Sequence, residues 1–390
     1  LNGTNNRLQE YDLSLKNLLG LNDSKYILLN TNLEQVTTGS CPHGGIHSAG
    51  PHIVKIDFSS SVNPLGVSRG VVTKLKKCLG TLSCNYPDPE CADFKENLIR
   101  YLDGRISIDQ INVGNGATEI IHNFARSFVK KAVIIPSPTF CEYELASRRV
   151  GAKAKLVPLS DWEIDPDAIL DSAKNIDAIF LCNPNNPTGI LSNRSIYKIL
   201  ERSNDSTKIL VDESFMELTD DPKAHLSLID KVSEFPNMVI LRSLTKSHGL
   251  AGLRLGYSIS HPRTARQLSM HRIAWNVNGL AQVAGIIALN DTQHIRRAKN
   301  FIRKERKFMF QEIQRRLKSF STIRSDVNFY LIDLHRCNSS KLRDYLLRWK
   351  GILVRDCSTF RGLRKNFIRV AIRNHHENVA LLRSLESIDH

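Results

Sequence analysis

Between Ile111 and Ile259, short apolar runs alternate with amphipathic stretches. The runs INV, KAVIIPSP, DAIFLC, KILVD and MVILR are bounded by Gly, Pro, Asn, Asp or Ser, the pattern of buried strands ended by turns. Stretches between them, such as ATEIIHNFARSF and Ile196 to Arg202, space their apolar residues for one face of a helix. The alternation predicts an α/β protein with a mainly parallel sheet and crossover helices. Further on, DVNFYLIDL, a helix from Lys341 to Trp349, GILVRDCSTFRGL, FIRVAIR and a closing helix predict a smaller α+β domain. The polar, asparagine-rich start has one amphipathic piece, Tyr11 to Leu21. The expected division is an extension over 1–42, an arm over 43–85, a large domain over 86–275 and a small domain over 276–390.

Chemistry concentrates where the predicted strands end. After MVILR comes SLTKSHGLAGLRLG, which places Lys246 just beyond a strand's carboxyl end, where open α/β sheets bind ligands. Ser243, three residues earlier, and Arg254, between Gly252 and Gly256, are suited to holding a phosphate, and the amine can form a Schiff base with an aldehyde cofactor. Together they suggest a site for pyridoxal phosphate. Gly116, Ala117 and Thr118 open a helix after a predicted strand, and free amides at a helix start cradle phosphate. NPNNPTG forces an irregular turn from which Asn186 can donate to the cofactor's phenolic oxygen. Asp212, at the end of KILVD, can pair with the pyridine nitrogen and keep it protonated.

Length and charge narrow the class. A chain of 390 residues with 41% hydrophobic residues suffices for two domains. The formal net charge of +15 is compatible with nucleic acid, an acidic surface or a phosphorylated small substrate. Much of it lies in IRRAKNFIRKERKFMFQEIQRRLK, where Ile295, Phe301, Ile302, Phe308 and Ile313 share a helical face and the cations read as solvated. No nucleic-acid partner, membrane association or metal is expected. The eight cysteines show no CxxC spacing and read as free thiols. The absence of a secretory signal or a long apolar span predicts a cytoplasmic protein.

The lysine segment resembles the cofactor motif of fold-type-I pyridoxal phosphate enzymes, in the branch holding histidinol-phosphate aminotransferases and threonine-phosphate decarboxylases. That resemblance implies a seven-stranded, mainly parallel sheet with flanking helices, and a homodimer. It implies that Tyr86 of YPDP crosses to the neighbouring subunit's cofactor phosphate and that Phe140 of PTFCEY lies against the pyridine ring. His43 and Gly44 of HGG, followed by DFSxxxNPLG with Asn63, resemble the decarboxylase opening that reaches over the substrate, although Ser61 stands where that family commonly has asparagine. Arg369 of FIRVA matches the arginine that forks the substrate α-carboxylate. Arg355, Arg361 and Arg373 resemble decarboxylase cations around a substrate phosphate. Phe215 replaces the tyrosine usual in the aminotransferases. The implied activity is decarboxylation of O-phospho-L-threonine, giving aminopropanol phosphate for the cobalamin nucleotide loop. Histidinol-phosphate aminotransfer is the alternative, and a non-catalytic basic binding protein on the same fold is a third possibility.

Overall fold

In a computed structural model that describes residues 41–50, 53–219 and 227–388, the apolar runs become strands of one central sheet. The fold begins at His43, where the chain divides from its N-terminal segment. The expected helix at Tyr11 to Leu21 lies outside the described residues.

A short strand, β1 (Ile56–Asp57), precedes the sheet. The sheet contains β2 (Ile111–Asn115), β3 (Ala132–Ser137), β4 (Lys153–Pro158), β5 (Ala178–Cys182), β6 (Lys208–Asp212), β7 (Met238–Ser243) and β8 (Leu255–Ser260). Their order is β2-β8-β7-β6-β5-β3-β4. β4, β3, β5, β6 and β7 run parallel, while β8 lies antiparallel between β7 and β2. Ile134, Ile179, Ile209 and Ile240 face one apolar layer, and Val133, Phe180, Leu210 and Val239 face the other. Helices cover both faces, which is why these strands read as continuous apolar runs rather than alternating ones.

A four-stranded antiparallel sheet forms the second lobe: β12 (Arg355–Asp356), β13 (Phe367–Ala371), β10 (Phe329–Asp333) and β9 (Ser321–Thr322), in that order. β1 pairs in parallel with β11 (Ile352–Leu353), and Phe58 is buried in this lobe's core. The arm is thus built into the small lobe. The helix Gly279–Asn290 buries Ala281, Ala284, Ala288 and Leu289 in the core of the large sheet, so the cores divide later in the chain than the expected border at 275/276. The long basic stretch is the helix Thr292–Arg316, with Ile295, Ile302, Met309 and Ile313 inward. Phe301 and Phe308 are only half-buried.

Cys78, Cys84, Cys91, Cys182, Cys337 and Cys357 are free thiols. Cys41 and Cys141, expected as free thiols, are instead disulfide-bonded. No helix among the described residues is long and apolar enough to cross a membrane.

Candidate active site

The parallel strands β3, β5, β6 and β7 end at Ser137, Cys182, Asp212 and Ser243, and the site is assembled beyond these carboxyl ends. From Ser243 the chain enters a single helical turn, Leu244–Ser247. Ser243 caps the turn: its Oγ accepts from the Thr245 N–H at 3.3 Å and lies 2.7 Å from the Thr245 Oγ1. Asn63 fastens the turn from outside, its N–H donating to the Lys246 carbonyl (2.9 Å) and its Nδ2 to the Ser247 carbonyl (2.7 Å). The Asn63 Oδ1 accepts from the Leu65 N–H (2.9 Å). Asn63, expected at the substrate, instead positions the lysine turn. Burial, then Arg369 and Arg254, push the Lys246 amine down to about 8 against the opposing pull of Asp212.

Asp212 alternates with Val211 along β6 and so faces the layer that contains Leu210 and Phe180. Its Oδ2 accepts from the Tyr143 hydroxyl at 2.8 Å and its Oδ1 from the Ser214 N–H at 2.9 Å. Burial raises its affinity for a proton, and these hydrogen bonds oppose that rise. The Tyr143 ring stacks on Phe180, centroids 5.4 Å apart, and meets Phe140 edge-on at 5.6 Å. Phe140 is half-buried at the end of this aromatic row.

Arg369 crosses from the small lobe. One terminal nitrogen donates to the Asn186 Oδ1 and the other to the Ser59 carbonyl at 2.8 Å, while its buried Nε has no protein partner. Each terminal nitrogen keeps a second N–H. Asn186 spends its oxygen on Arg369, which leaves its amide nitrogen as a donor. The Arg369 guanidinium also lies 5.1 Å over the Phe329 ring.

The phosphate cradle follows from a close approach of backbones. Gly116 has φ 78° and caps the helix Ala117–Phe128 without a side chain, so the amides of the first turn are left free. A Cβ on Gly116 would collide with the Arg254 guanidinium, and one on Gly256 would come within 2.7 Å of the Ala117 nitrogen. Ala117, Thr118 and Arg254 are therefore brought together, and Thr118 and Arg254 line an open cavity of about 660 Å³.

The remaining expected substrate residues have protein partners of their own. His43 packs on Phe140, centroids 5.9 Å apart, and its Nε2 donates to the Glu142 carboxylate at 2.9 Å. A Cβ on Gly44 would come within 2.6 Å of the Ser59 carbonyl, so HGG and Arg369 meet at Ser59. Arg355 faces Arg369 across the β12–β13 pair and is buried. Arg361 is ion-paired with Glu144. Arg373, expected around the substrate phosphate, lies beyond the end of β13 at Ala371 and donates to Glu377 of the closing helix at 3.1 Å. Phe215 is buried with Leu218, Ile302, Val327 and Phe329. Tyr86, 82% exposed, lies against Trp275 with centroids 4.8 Å apart.

Sequence reasoning missed Tyr143, Glu142 and Glu144. Their only sequence signal is position, in the helix Glu142–Arg149 directly after Phe140.

These groups fit pyridoxal phosphate. Asp212 can accept a ring N–H, the spare Asn186 amide can donate to a phenolate, and the unpartnered Arg369 Nε is a charged donor left for a ligand. The family described as aminotransferase class I and II matches residues 53–388. A histidinol-phosphate aminotransferase of Symbiobacterium thermophilum is 31% identical over 336 residues, 85% of this chain and 90% of that protein. A protein of Caldanaerobacter subterraneus, provisionally named threonine-phosphate decarboxylase, is 33% identical over 334 residues, 84% of this chain and 89% of that protein. The crystal structure of a histidinol-phosphate aminotransferase from Clostridium acetobutylicum has a TM-score of 0.78 at 30% identity, covering 86% of this chain and 99% of that one. The chain belongs to the aminotransferase class I and II family, with pyridoxal phosphate as its cofactor.

Proposed function

We propose that this enzyme decarboxylates O-phospho-L-threonine to 1-aminopropan-2-yl phosphate. The observation that carries the reading is Phe215, which is 5% exposed in an apolar cluster and packed edge-on to Phe329 at 5.1 Å. No hydroxyl is available where the resemblance implies that aminotransferases carry a tyrosine. The HGG loop, joined to Arg369 through Ser59, supports the same choice.

The bound cofactor supplies an electron-withdrawing ring that stabilises the electrons left at the substrate α-carbon. Lys246 provides the amine that attaches it. Asp212, held by Tyr143 and Ser214, keeps the proton on the ring nitrogen. Arg369 holds the substrate carboxylate, and its anchors on Asn186 and Ser59 fix the direction from which that carboxylate is gripped. The direction of that grip would decide which bond at the α-carbon is set up to break. Arg355 and His43 are the cations and donors assigned to the substrate's phosphate, with Arg361 recruited from its ion pair.

Histidinol-phosphate aminotransfer is the second reading, favoured by the relatives that bear that name. Incubating the cofactor-loaded protein with O-phospho-L-threonine should release carbon dioxide and the amine phosphate, and Lys246→Ala should abolish both. Glutamate formed from histidinol phosphate and 2-oxoglutarate, with no carbon dioxide from the threonine ester, would establish the second reading instead. Failure to take up the cofactor at all would leave only a binding role.

A further inference from the structure

Two carboxylates on one short helix hold two of the side chains assigned to the substrate phosphate. Glu142 and Glu144 stand in the first turn of the helix Glu142–Arg149. Glu142 takes the Nε2 of His43 on one oxygen (2.9 Å) and the Nε2 of His122 on the other (3.1 Å). Glu144 takes Arg361, and also Arg148 at 2.6 Å.

The surroundings of the two carboxylates give them opposite effects. Glu142 is 5% exposed, and its two imidazole partners, His122 first, hold its carboxyl at about 2. It is therefore an acceptor only, so each Nε2 must carry its hydrogen, and His43 keeps a donor for a phosphate only as the imidazolium, with a hydrogen on Nδ1 as well. His122 belongs to the helix of the phosphate cradle, Ala117–Phe128, so Glu142 is pinned from a fixed element and holds His43 against Phe140. Glu144 has a replaceable partner. The Arg361 side chain is 57% exposed, its carbonyl is anchored by the Ser137 Oγ at 2.6 Å, and Glu144 would keep Arg148 if Arg361 left. Arg361 can swing while its backbone stays in place.

We infer that Glu142 is a positioning residue that promotes binding of the substrate's phosphomonoester through His43, whereas Glu144 competes with that phosphate for Arg361. This rests on the assignment of His43 and Arg361 to the substrate phosphate. The two glutamates then set affinity for the anion in opposite directions, and Arg361 exchanges one anion for another as substrate enters.

The test is calorimetric titration of the cofactor-loaded protein with inorganic phosphate, alongside KM and kcat for O-phospho-L-threonine. Glu144→Gln should bind phosphate about two- to fivefold tighter, the size of an exposed ion pair, with KM lowered and kcat unchanged. Glu142→Gln should bind it about tenfold more weakly, the size of a lost charge-assisted hydrogen bond. The amide can accept from only one of the two imidazoles. His43→Ala and Arg361→Ala should each weaken binding, and Glu142→Gln should add nothing in the His43→Ala background. If His43→Ala and Arg361→Ala bind phosphate like the wild type, the assignment of these ligands falls and the inference falls with it. If they weaken binding while the two glutamate variants shift it in the same direction, or not at all, the inference alone is overturned. Glu144 is partly exposed, so Glu144→Gln still decides the sign should Glu142→Gln fail to fold.

Discussion

Tyr143 shows how a single hydroxyl can tune a buried acid. Burial pushes Asp212 toward its neutral form, and the Tyr143 hydrogen bond favours the carboxylate that a protonated ring nitrogen needs. Tyr143→Phe should weaken cofactor binding by about 1–3 kcal/mol, the cost of a lost buried hydrogen bond, measurable by titrating the cofactor-free protein with pyridoxal phosphate. An unchanged affinity would remove Tyr143 from this role. Lys246 makes a prediction with a definite sign. Its folded pKa lies at about 8, below the ordinary lysine value of 10.5, so below pH 8 its charge destabilises the cofactor-free protein. That cost fades as pH climbs through 8 toward 10.5. Lys246→Met should therefore stabilise the apoprotein at pH 7, and the gap in melting temperature should narrow as pH rises through this window. Lys246, Asp212 and Asn186 were legible because each lies at or just beyond the end of an apolar run, with proline- or glycine-rich residues around Asn186 and after Lys246. Tyr143 and Glu142 were not, since their partners lie 69 and 99 residues away in sequence.

The five apolar runs became β2, β3, β5, β6 and β7 of the large sheet, whereas β4, β8 and the contacts between elements did not come out of the pattern. Gly256 illustrates the gap: its glycine is visible in the motif, but the reason for it is the Ala117 nitrogen across the β2–β8 pair. The obstacle is backbone, which cannot rotate away, so Gly256→Ala should destabilise the protein by about 1–3 kcal/mol and weaken cofactor binding. A variant that melts and binds like the wild type would show that the cradle tolerates wider spacing. Arg373 lies past Ala371, where β13 ends and the chain turns into the helix His375–Glu386, so it does not share a strand with Arg369.

The two lobes share segments that are distant in the chain. β1 of the arm completes a parallel pair with β11, and the helix Gly279–Asn290 returns to the core of the large sheet. Sequence composition gives no sign of either, because an apolar face does not name its partner. Tyr86, Met270, Ile273 and Trp275 are 82%, 79%, 68% and 51% exposed. Such exposed apolar side chains would suit a second copy, the occupant that the resemblance implies. Sedimentation should show a dimer, and the double variant Tyr86→Ala, Trp275→Ala should shift it toward monomer and lower cofactor affinity. A wild-type protein that sediments as a monomer at micromolar concentration would remove Tyr86 from the site.

The sequence by itself determined the α/β class, the order of the strands' chemical ends and the lysine, carboxylate, amide and glycine turn at those ends. Such features are local: strand period, turn residues and helix starts are set by neighbours in the chain. The tertiary structure decided which of them meet. It turned Asn63 inward to the lysine turn, left Arg373 on Glu377, and gave His43 and Arg361 to the paired glutamates of one helix. Hydrogen bonds and ion pairs between distant segments depend on how the layers stack, and no period along the chain encodes that.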